Sequence, residues 1–436
     1  MVAAPPDFKP LKVAVIGGGL GGLAAAVALR RAGHLVSIYE RRDFKLEVGA
    51  SISCAKNGAQ WLRDWGVNIP SGKPIILEDL MMRDWRTGEV LNTYSLADYE
   101  HNWGTPYYMF HRVDMHEMLL RAATEEAGEG SPCSVVVDHI AEAADPEKGI
   151  VKFQNGVEVE ADLIIGADGI RSILRREIGV TPDIKSANQT CYRCNVRRAD
   201  LAKLGLEWAA HPAIQFWGGY PAPNLSMYYK IVMSPCSGGD LVSFYCFMPT
   251  ELTNHTEEGF TFAEVPPSDI LKAQYSELDP AARALIENSI DRMPWRLYIH
   301  QPYSHWIKGR ICILGDAAHP MMPHQSQGAC QAIEDAAALG IIFSREHGFT
   351  SDVKAGLELY EQIRKPRATR VQAASARATE NLNERIGFTS LSAPEAKLAA
   401  KAGKLTVDEM NLYDMRAHIA KEVAARYDGA QAAQAA

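Results

Sequence analysis

Apolar positions along the 436-residue chain follow two different rhythms. Lys12 to Ile16 is a short β-rich run, Gly17 to Gly22 a glycine turn, Leu23 to Ala32 an Ala- and Leu-rich stretch, and Leu35 to Tyr39 a second β-rich run. Strand, turn, helix and strand in so short a span predict a parallel pair joined by a crossover helix. From about Asn188 to Ile299 the rhythm changes. Ala213-Ile214-Gln215-Phe216-Trp217 and Leu241-Val242-Ser243-Phe244-Tyr245-Cys246-Phe247 are rich in β-branched and aromatic residues, with Gly, Pro and Asn turns between them. That texture predicts an antiparallel sheet. Arg310 to Leu314 and then Ser326 to Arg345 return to strand followed by helix. The reading is an α/β fold in three parts: a domain assembled from the discontinuous segments 1–187 and 300–384, an antiparallel β-sheet domain inserted at 188–299, and a C-terminal helical region at 385–436, where Ala, Lys and Glu dominate.

Composition narrows the class of protein. Lys and Arg total 45 against 53 Asp and Glu, a net charge of −8, so the chain lacks the cation surplus of a general nucleic-acid binder. Apolar residues at 47% and charged residues at 22% match an ordinary folded globule. No run of 18 or more apolar residues occurs, so no membrane span is expected. The N-terminus lacks the basic start and apolar stretch of a secretory signal. With eight scattered cysteines, this reads as a cytoplasmic protein with reduced thiols. Cys191 and Cys194 form a lone pair without a second one at zinc spacing, so no metal site is expected.

The glycine turn carries the first chemistry. Gly17, Gly19 and Gly22 stand in G-x-G-x-x-G spacing after a strand and at the start of a helix. The first glycine permits the tight turn, the second lets backbone approach a pyrophosphate, and the third lets helix pack on strand. Glu40, at the end of the second strand, is placed to hydrogen-bond ribose hydroxyls. These features make the discontinuous domain Rossmann-like and predict a bound dinucleotide. The turn alone leaves NAD and FAD both open.

Two further stretches bear on that choice. Asp162-Leu163-Ile164-Ile165-Gly166-Ala167-Asp168-Gly169-Ile170-Arg171-Ser172 resembles the "DG" motif of flavin-dependent aromatic hydroxylases. Arg310-Ile311-Cys312-Ile313-Leu314-Gly315-Asp316-Ala317-Ala318-His319-Pro320 resembles their "GD" motif, and the run from Pro323 through Gly328 to Ala336 continues the likeness. His111-Arg112-Val113-Asp114 and the stretch from Tyr360 to Ala368 match two lesser family segments. The resemblance, to the class A single-component flavoprotein monooxygenases and within them to salicylate hydroxylases and similar fungal enzymes, spans residues 11 to about 375. It implies that FAD is held by Gly17, Gly19, Gly22, Glu40, Arg41, Ala50, Arg112, Asp168, Asp316, Pro323, Gly328 and Ala329. By the same resemblance, segments 1–187 and 300–384 are the FAD-binding domain and 188–299 the substrate domain.

The implied reaction is hydroxylation of a small phenolic substrate with O₂ and with NADH or NADPH as transient co-substrate. Oxygen is activated on the reduced flavin as a C4a-hydroperoxide, and CO₂ leaves when the attacked carbon carries a carboxylate. A phenol, with pKa near ~10, needs a polar group to share or take its proton. Relatives often place an H-x-x-x-Y pair on the inserted sheet. Here Tyr228 or Tyr229 keeps the tyrosine, while Asn224 or Leu225 stands in place of the histidine. Ser53 occupies another position where relatives carry His or Gln. His211 is a further candidate base, against the plainer reading of a loop histidine before proline. His319 and His324 read as architectural parts of the flavin-side loop. Two other functions stay open on this scaffold: an FAD oxidoreductase that is not an oxygenase, and a non-enzymatic nucleotide-binding regulator. The expected assembly is a monomer or homodimer.

Overall fold

The computed structural model describes residues 8–44, 49–221, 228–253, 267–379 and 403–435. Apolar runs from both ends of the chain pair into one six-stranded sheet, ordered Ile307–Lys308, Ile311–Ile313, Leu163–Gly166, Lys12–Ile16, Leu35–Tyr39 and Ser134–Val136. All pairings are parallel except the edge strand Ile307–Lys308. The central strands read as near-continuous apolar runs because both faces are covered; Val15, Leu163, Ile164 and Ile165 are fully enclosed, and Phe153 of the antiparallel strand Ile150–Phe153 packs 5.1 Å from Tyr39. The crossover helix spans Leu20–Arg31, starting earlier than its Ala-rich stretch suggests. It packs on helix Gly328–Ile342, and the contact is close: a Cβ on Gly340 would sit 2.9 Å from Ala28 Cβ.

The second sheet has seven strands, ordered Ile290–His300, Ile184–Arg197, Leu241–Pro249, Tyr228–Cys236, Ala213–Pro221, Asp79–Arg83 and Val90–Ser95. It takes two strands from far upstream. Asp79–Arg83 pairs in parallel with Ala213–Pro221, and Val90–Ser95 closes the edge antiparallel. The two strands at 79–95 lie outside the 188–299 span assigned from the sequence, because their pairing partner is more than a hundred residues away and leaves no local trace.

Strand alternation divides this sheet into two faces. On one face the register aligns Arg193 with Tyr245, Tyr245 with Val232, Val232 with Phe216, and Phe216 with Met82. The adjacent row runs from Cys191 through Phe247 and Lys230 to Gly218. The other face carries Tyr192, Cys194, Tyr229 and Phe244, which form a separate core with helices Pro267–Gln274 and Pro280–Glu287. Cys191 and Cys194 thus lie on opposite faces.

After the long helix Val353–Arg377, the described C-terminal residues form helices Val407–Asn411 and Met415–Ala435. Among the described residues no helix is long and apolar enough to cross a membrane.

Candidate active site

A cavity of about 820 Å³ lies between the six-stranded sheet and the Arg193–Met82 face of the seven-stranded sheet. Its first wall is the glycine turn. Gly17 adopts φ +107°, and a Cβ there would sit 2.4 Å from Ala167 O. A Cβ on Gly22 would sit 2.0 Å from Gly17 O. Both glycines are therefore required by backbone packing. Gly19 differs: a Cβ there meets nothing within 4 Å, because the residue faces the cavity. No side chain caps the helix that starts at Leu20, so its first N–H groups and the positive end of its dipole point at open space. Glu40 Oε2 accepts a 2.7 Å hydrogen bond from Gly18 N, which fixes the turn against the second strand.

The second wall is the loop from Leu314 to Gly328. Gly315 adopts φ +56°, and its N–H donates to Asp335 Oδ2 at 3.0 Å. Asp335 also accepts from His319 Nε2 at 2.6 Å and from Arg364 Nε at 2.8 Å. Arg364 donates further to Glu334 Oε2 at 2.5 Å, and Arg367 donates to the same oxygen at 2.7 Å. Asp335, Glu334 and Arg364 are at most 1% exposed. Burial alone would raise both carboxyls. His319 and Arg364 hold Asp335 below its ordinary value, and Arg367 and Arg364 do the same for Glu334. This network clamps the loop that presents Asp316 to the cavity. Asp316 is exposed on the cavity wall. Desolvation by the surrounding protein raises its pKa, against the pull of His319 and Arg112. Helix Gly328–Ile342 also starts without a side-chain cap, with Gly328 and Ala329 on the cavity wall.

The third wall is the sheet face. Arg193, Tyr245, Lys230, Val232, Phe216 and Met82 all line the cavity. The Arg193 guanidinium stacks 4.0 Å from the Trp295 ring centroid, and its buried Nε has no hydrogen-bond partner among the described residues. Burial lowers its pKa, and Tyr245 opposes that shift. Arg112 stands close by on the cavity wall. Its pKa is lowered by burial and by the charge of Arg193. Lys230 Nζ lies 3.5 Å from His324 Nδ1 and 5.2 Å from the Phe247 centroid.

These walls collect some of the residues expected from the sequence and not others. Gly19, Ala50, Arg112, Asp316, Pro323, Gly328 and Ala329 line the cavity, as do Ser53 and His324. Gly17 and Gly22 support the turn from behind, and Arg41 is exposed. Asp168 Oδ2 accepts from Ile173 N at 2.7 Å and Leu174 N at 3.1 Å, so it holds the start of helix Ile173–Glu177 beside the cavity residues Ala167 and Gly169. His319 lies behind the loop on Asp335.

The expected bases need correction. Tyr229 faces the back of its sheet, where its hydroxyl donates to Gln274 Oε1 at 2.7 Å and its ring stacks 6.1 Å from that of Trp85. Strand parity puts it one residue out of phase with Lys230. His211 lies at the end of a short helical turn and pairs with Asp79 Oδ2 at 2.8 Å, off the cavity wall. The side chain of Tyr228, and residues Asn224 and Leu225, lie outside the described residues. Arg193, Tyr245 and Lys230 were missed. The available signal was a charged residue placed inside an apolar strand, as in Tyr229-Lys230-Ile231.

The fit to FAD rests on the open backbone at Gly19, two helix N-termini without a side-chain cap among the described residues facing one cavity, and the carboxylate of Asp316 exposed on the cavity wall. Residues 10–375 match the family described as FAD binding domain, FAD_binding_3. The chain belongs to this family. The flavoprotein is 34% identical over 380 residues to hispidin-3-hydroxylase of Neonothopanus nambi, covering 84% of this chain and 87% of that one. It is 30% identical to 6-hydroxynicotinate 3-monooxygenase of Bordetella bronchiseptica, covering 88% and 97%. Klebsiella pneumoniae HpxO, solved with FAD and uric acid, shares the fold with a TM-score of 0.70 at 24% identity, covering 95% of this chain and 96% of that one. The chain is an FAD-dependent monooxygenase.

Proposed function

We propose that the protein hydroxylates a phenolic aromatic substrate bearing an anionic group, using O₂ and either NADH or NADPH. One observation carries this reading: the wall suited to a dinucleotide and a wall bearing the half-buried cation Arg193 face each other across one cavity. FAD held there would supply the redox chemistry, accepting reducing equivalents from the nicotinamide and activating O₂ for transfer to the ring.

The chain's own residues do the rest. Backbone N–H groups at Gly19, Leu20 and Gly21 hold the pyrophosphate, and Glu40 and Asp316 serve the ribose and ribityl hydroxyls. The uncapped N-terminus at Gly328 favours negative charge on the ring edge of the cofactor. Gly17, Gly22 and Asp168 keep the surrounding turns in place, with Arg41 at the outer end of the site. Arg193 receives the substrate's carboxylate or phenolate, which removes the cost of a half-buried guanidinium with an unmet donor. Phe216, Val232 and Met82 flank the ring and exclude water, which protects activated oxygen from hydrolytic loss. We assign the work to a cytoplasmic monomer or homodimer.

The test is a panel of hydroxybenzoates and related phenols, scored together for NAD(P)H use, O₂ uptake and CO₂ release. The expected result is substrate-stimulated NAD(P)H oxidation matched by O₂ uptake and a hydroxylated product. NAD(P)H oxidation with a reduced product and no O₂ uptake overturns the reading in favour of a non-oxygenase flavin reductase.

A further inference from the structure

A second, smaller chamber of about 50 Å³ adjoins the main cavity. The two share Ile214 and Phe216 of the seven-stranded sheet and Ser326 and Gln327 of the loop before Gly328. The chamber therefore abuts the active site along these four residues. Its lining is mostly apolar and aromatic: Leu80 and Leu96 come from the upstream 79–96 segment, and Tyr99 and Tyr107 stand beside them. The Tyr99 hydroxyl is already engaged, accepting from Lys56 N at 3.1 Å and from Asn411 Nδ2 at 3.0 Å.

The remaining wall is made by Val407, Met410 and Asn411 of helix Val407–Asn411. These residues lie beyond the 10–375 span of the family match. They are held firmly: Arg367 donates to Glu409 O at 3.1 Å and to Met410 O at 3.0 Å, while its guanidinium also pairs with Glu334. The Thr406 hydroxyl caps the helix by accepting from Glu409 N at 3.1 Å. The buried clamp behind the flavin-side loop thus also fixes the chamber wall.

We infer that this chamber receives a short apolar arm on the substrate ring, and that Met410 and Val407 set the arm's length. The inference rests on the phenol-hydroxylase reading and refines its substrate class to a phenol with an alkyl or alkenyl side chain. At roughly 10–15 Å³ for each water-sized guest, the space holds about four such atoms, enough for a propyl-sized arm and too little for a second ring system. An apolar arm suits walls of Leu, Ile, Phe, Met and Val, and a charged arm would lose its hydration there with no opposite charge among the lining residues.

The experiment compares resorcinol, 5-methylresorcinol and 5-propylresorcinol on the FAD-loaded enzyme. One methylene in an apolar pocket is worth roughly 10- to 200-fold in kcat/KM. The expected result is a rise of at least tenfold from resorcinol to 5-propylresorcinol. Met410→Trp and Val407→Phe fill the chamber from the same wall, and each lowers that ratio at least tenfold. Leu412→Ala, at an exposed site (67%) off the chamber, keeps it. The flavin absorbance of each variant reports folding independently of turnover. Hydroxylation of all three phenols without the rise, or a rise that survives both fillings, overturns the inference and leaves the general function standing. Absence of hydroxylation with these phenols and with the hydroxybenzoate panel alike overturns both.

Discussion

Arg364→Leu tests the clamp that joins the flavin-side loop to the C-terminal helices. The guanidinium donates to Asp335 Oδ1 at 2.8 Å, to Glu334 Oε2 at 2.5 Å, and to Gln331 Oε1 at 2.9 Å. Its removal strands parts of two buried carboxylates. Breaking a buried pair by deleting one partner costs about 3–5 kcal/mol, since the remaining charge keeps its desolvation penalty. Here each carboxylate retains a second partner: Arg367 at 2.7 Å for Glu334 and His319 at 2.6 Å for Asp335. The loss therefore stays on that scale instead of doubling. It corresponds to a change of roughly a hundred- to several-thousandfold in the unfolding constant. Urea unfolding followed by tryptophan fluorescence reads the loss, and flavin fluorescence reads release of the cofactor in the same titration. A loss under about 1 kcal/mol, the scale of an exposed pair, would refute the reasoning.

Three further outcomes are expected. Gly22→Ala places a Cβ 2.0 Å from Gly17 O and yields little folded protein, whereas Gly19→Ala meets nothing within 4 Å among the described residues and folds normally; its FAD Kd, by equilibrium dialysis, rises at least tenfold, and an unchanged Kd would remove the glycine turn from the cofactor site. Tyr229→Phe breaks the 2.7 Å bond to Gln274, costs about 1 kcal/mol of stability, and leaves kcat unchanged, whereas a large fall in kcat would restore Tyr229 as a candidate base. Burial pushes His300 down to about 4 from its ordinary 6.5. The unfolded chain takes up that proton first as pH falls, so its contribution to stability is full above about pH 6.5 and declines by about 3 kcal/mol as pH drops to 4; His300→Phe flattens that slope in denaturation midpoints measured across the interval, and an unaltered slope contradicts the assignment.

What the sequence revealed follows from where the information lies. The glycine turn at Gly17–Gly22 and the Gly315–Asp316 turn are local, since each needs particular residues in consecutive positions, and both were legible. The cavity face of the seven-stranded sheet was not. A strand's side chains alternate, so a shift of one residue exchanges cavity for core, and Tyr229 and Lys230 differ by that one step. Arg193 acquires its role from alignment with Tyr245 on a strand some fifty residues later, and the strands at 79–95 join the sheet through a partner that no local pattern points to. His211 looked chemical because its type is versatile, yet its neighbour Asp79 comes from that same distant segment. Ser326 to Arg345 and the observed helix Gly328–Ile342 differ at the ends, where the loop preceding the helix is shaped by the cavity it lines.

The parallel pairing of Asp79–Arg83 with Ala213–Pro221 has a consequence for how the polypeptide is made. The upstream hairpin leaves the ribosome well before its partner is synthesised, and until then it must wait with unmet backbone donors and acceptors. Such waiting edges invite pairing with other chains, and closure over so long a loop is slow. An excised fragment of residues 188–299 would bare the opposite edge, at Ala213–Pro221, and self-associate. Productive expression therefore depends on chaperone capacity during elongation, and dissecting the molecule at its apparent boundaries would yield aggregates.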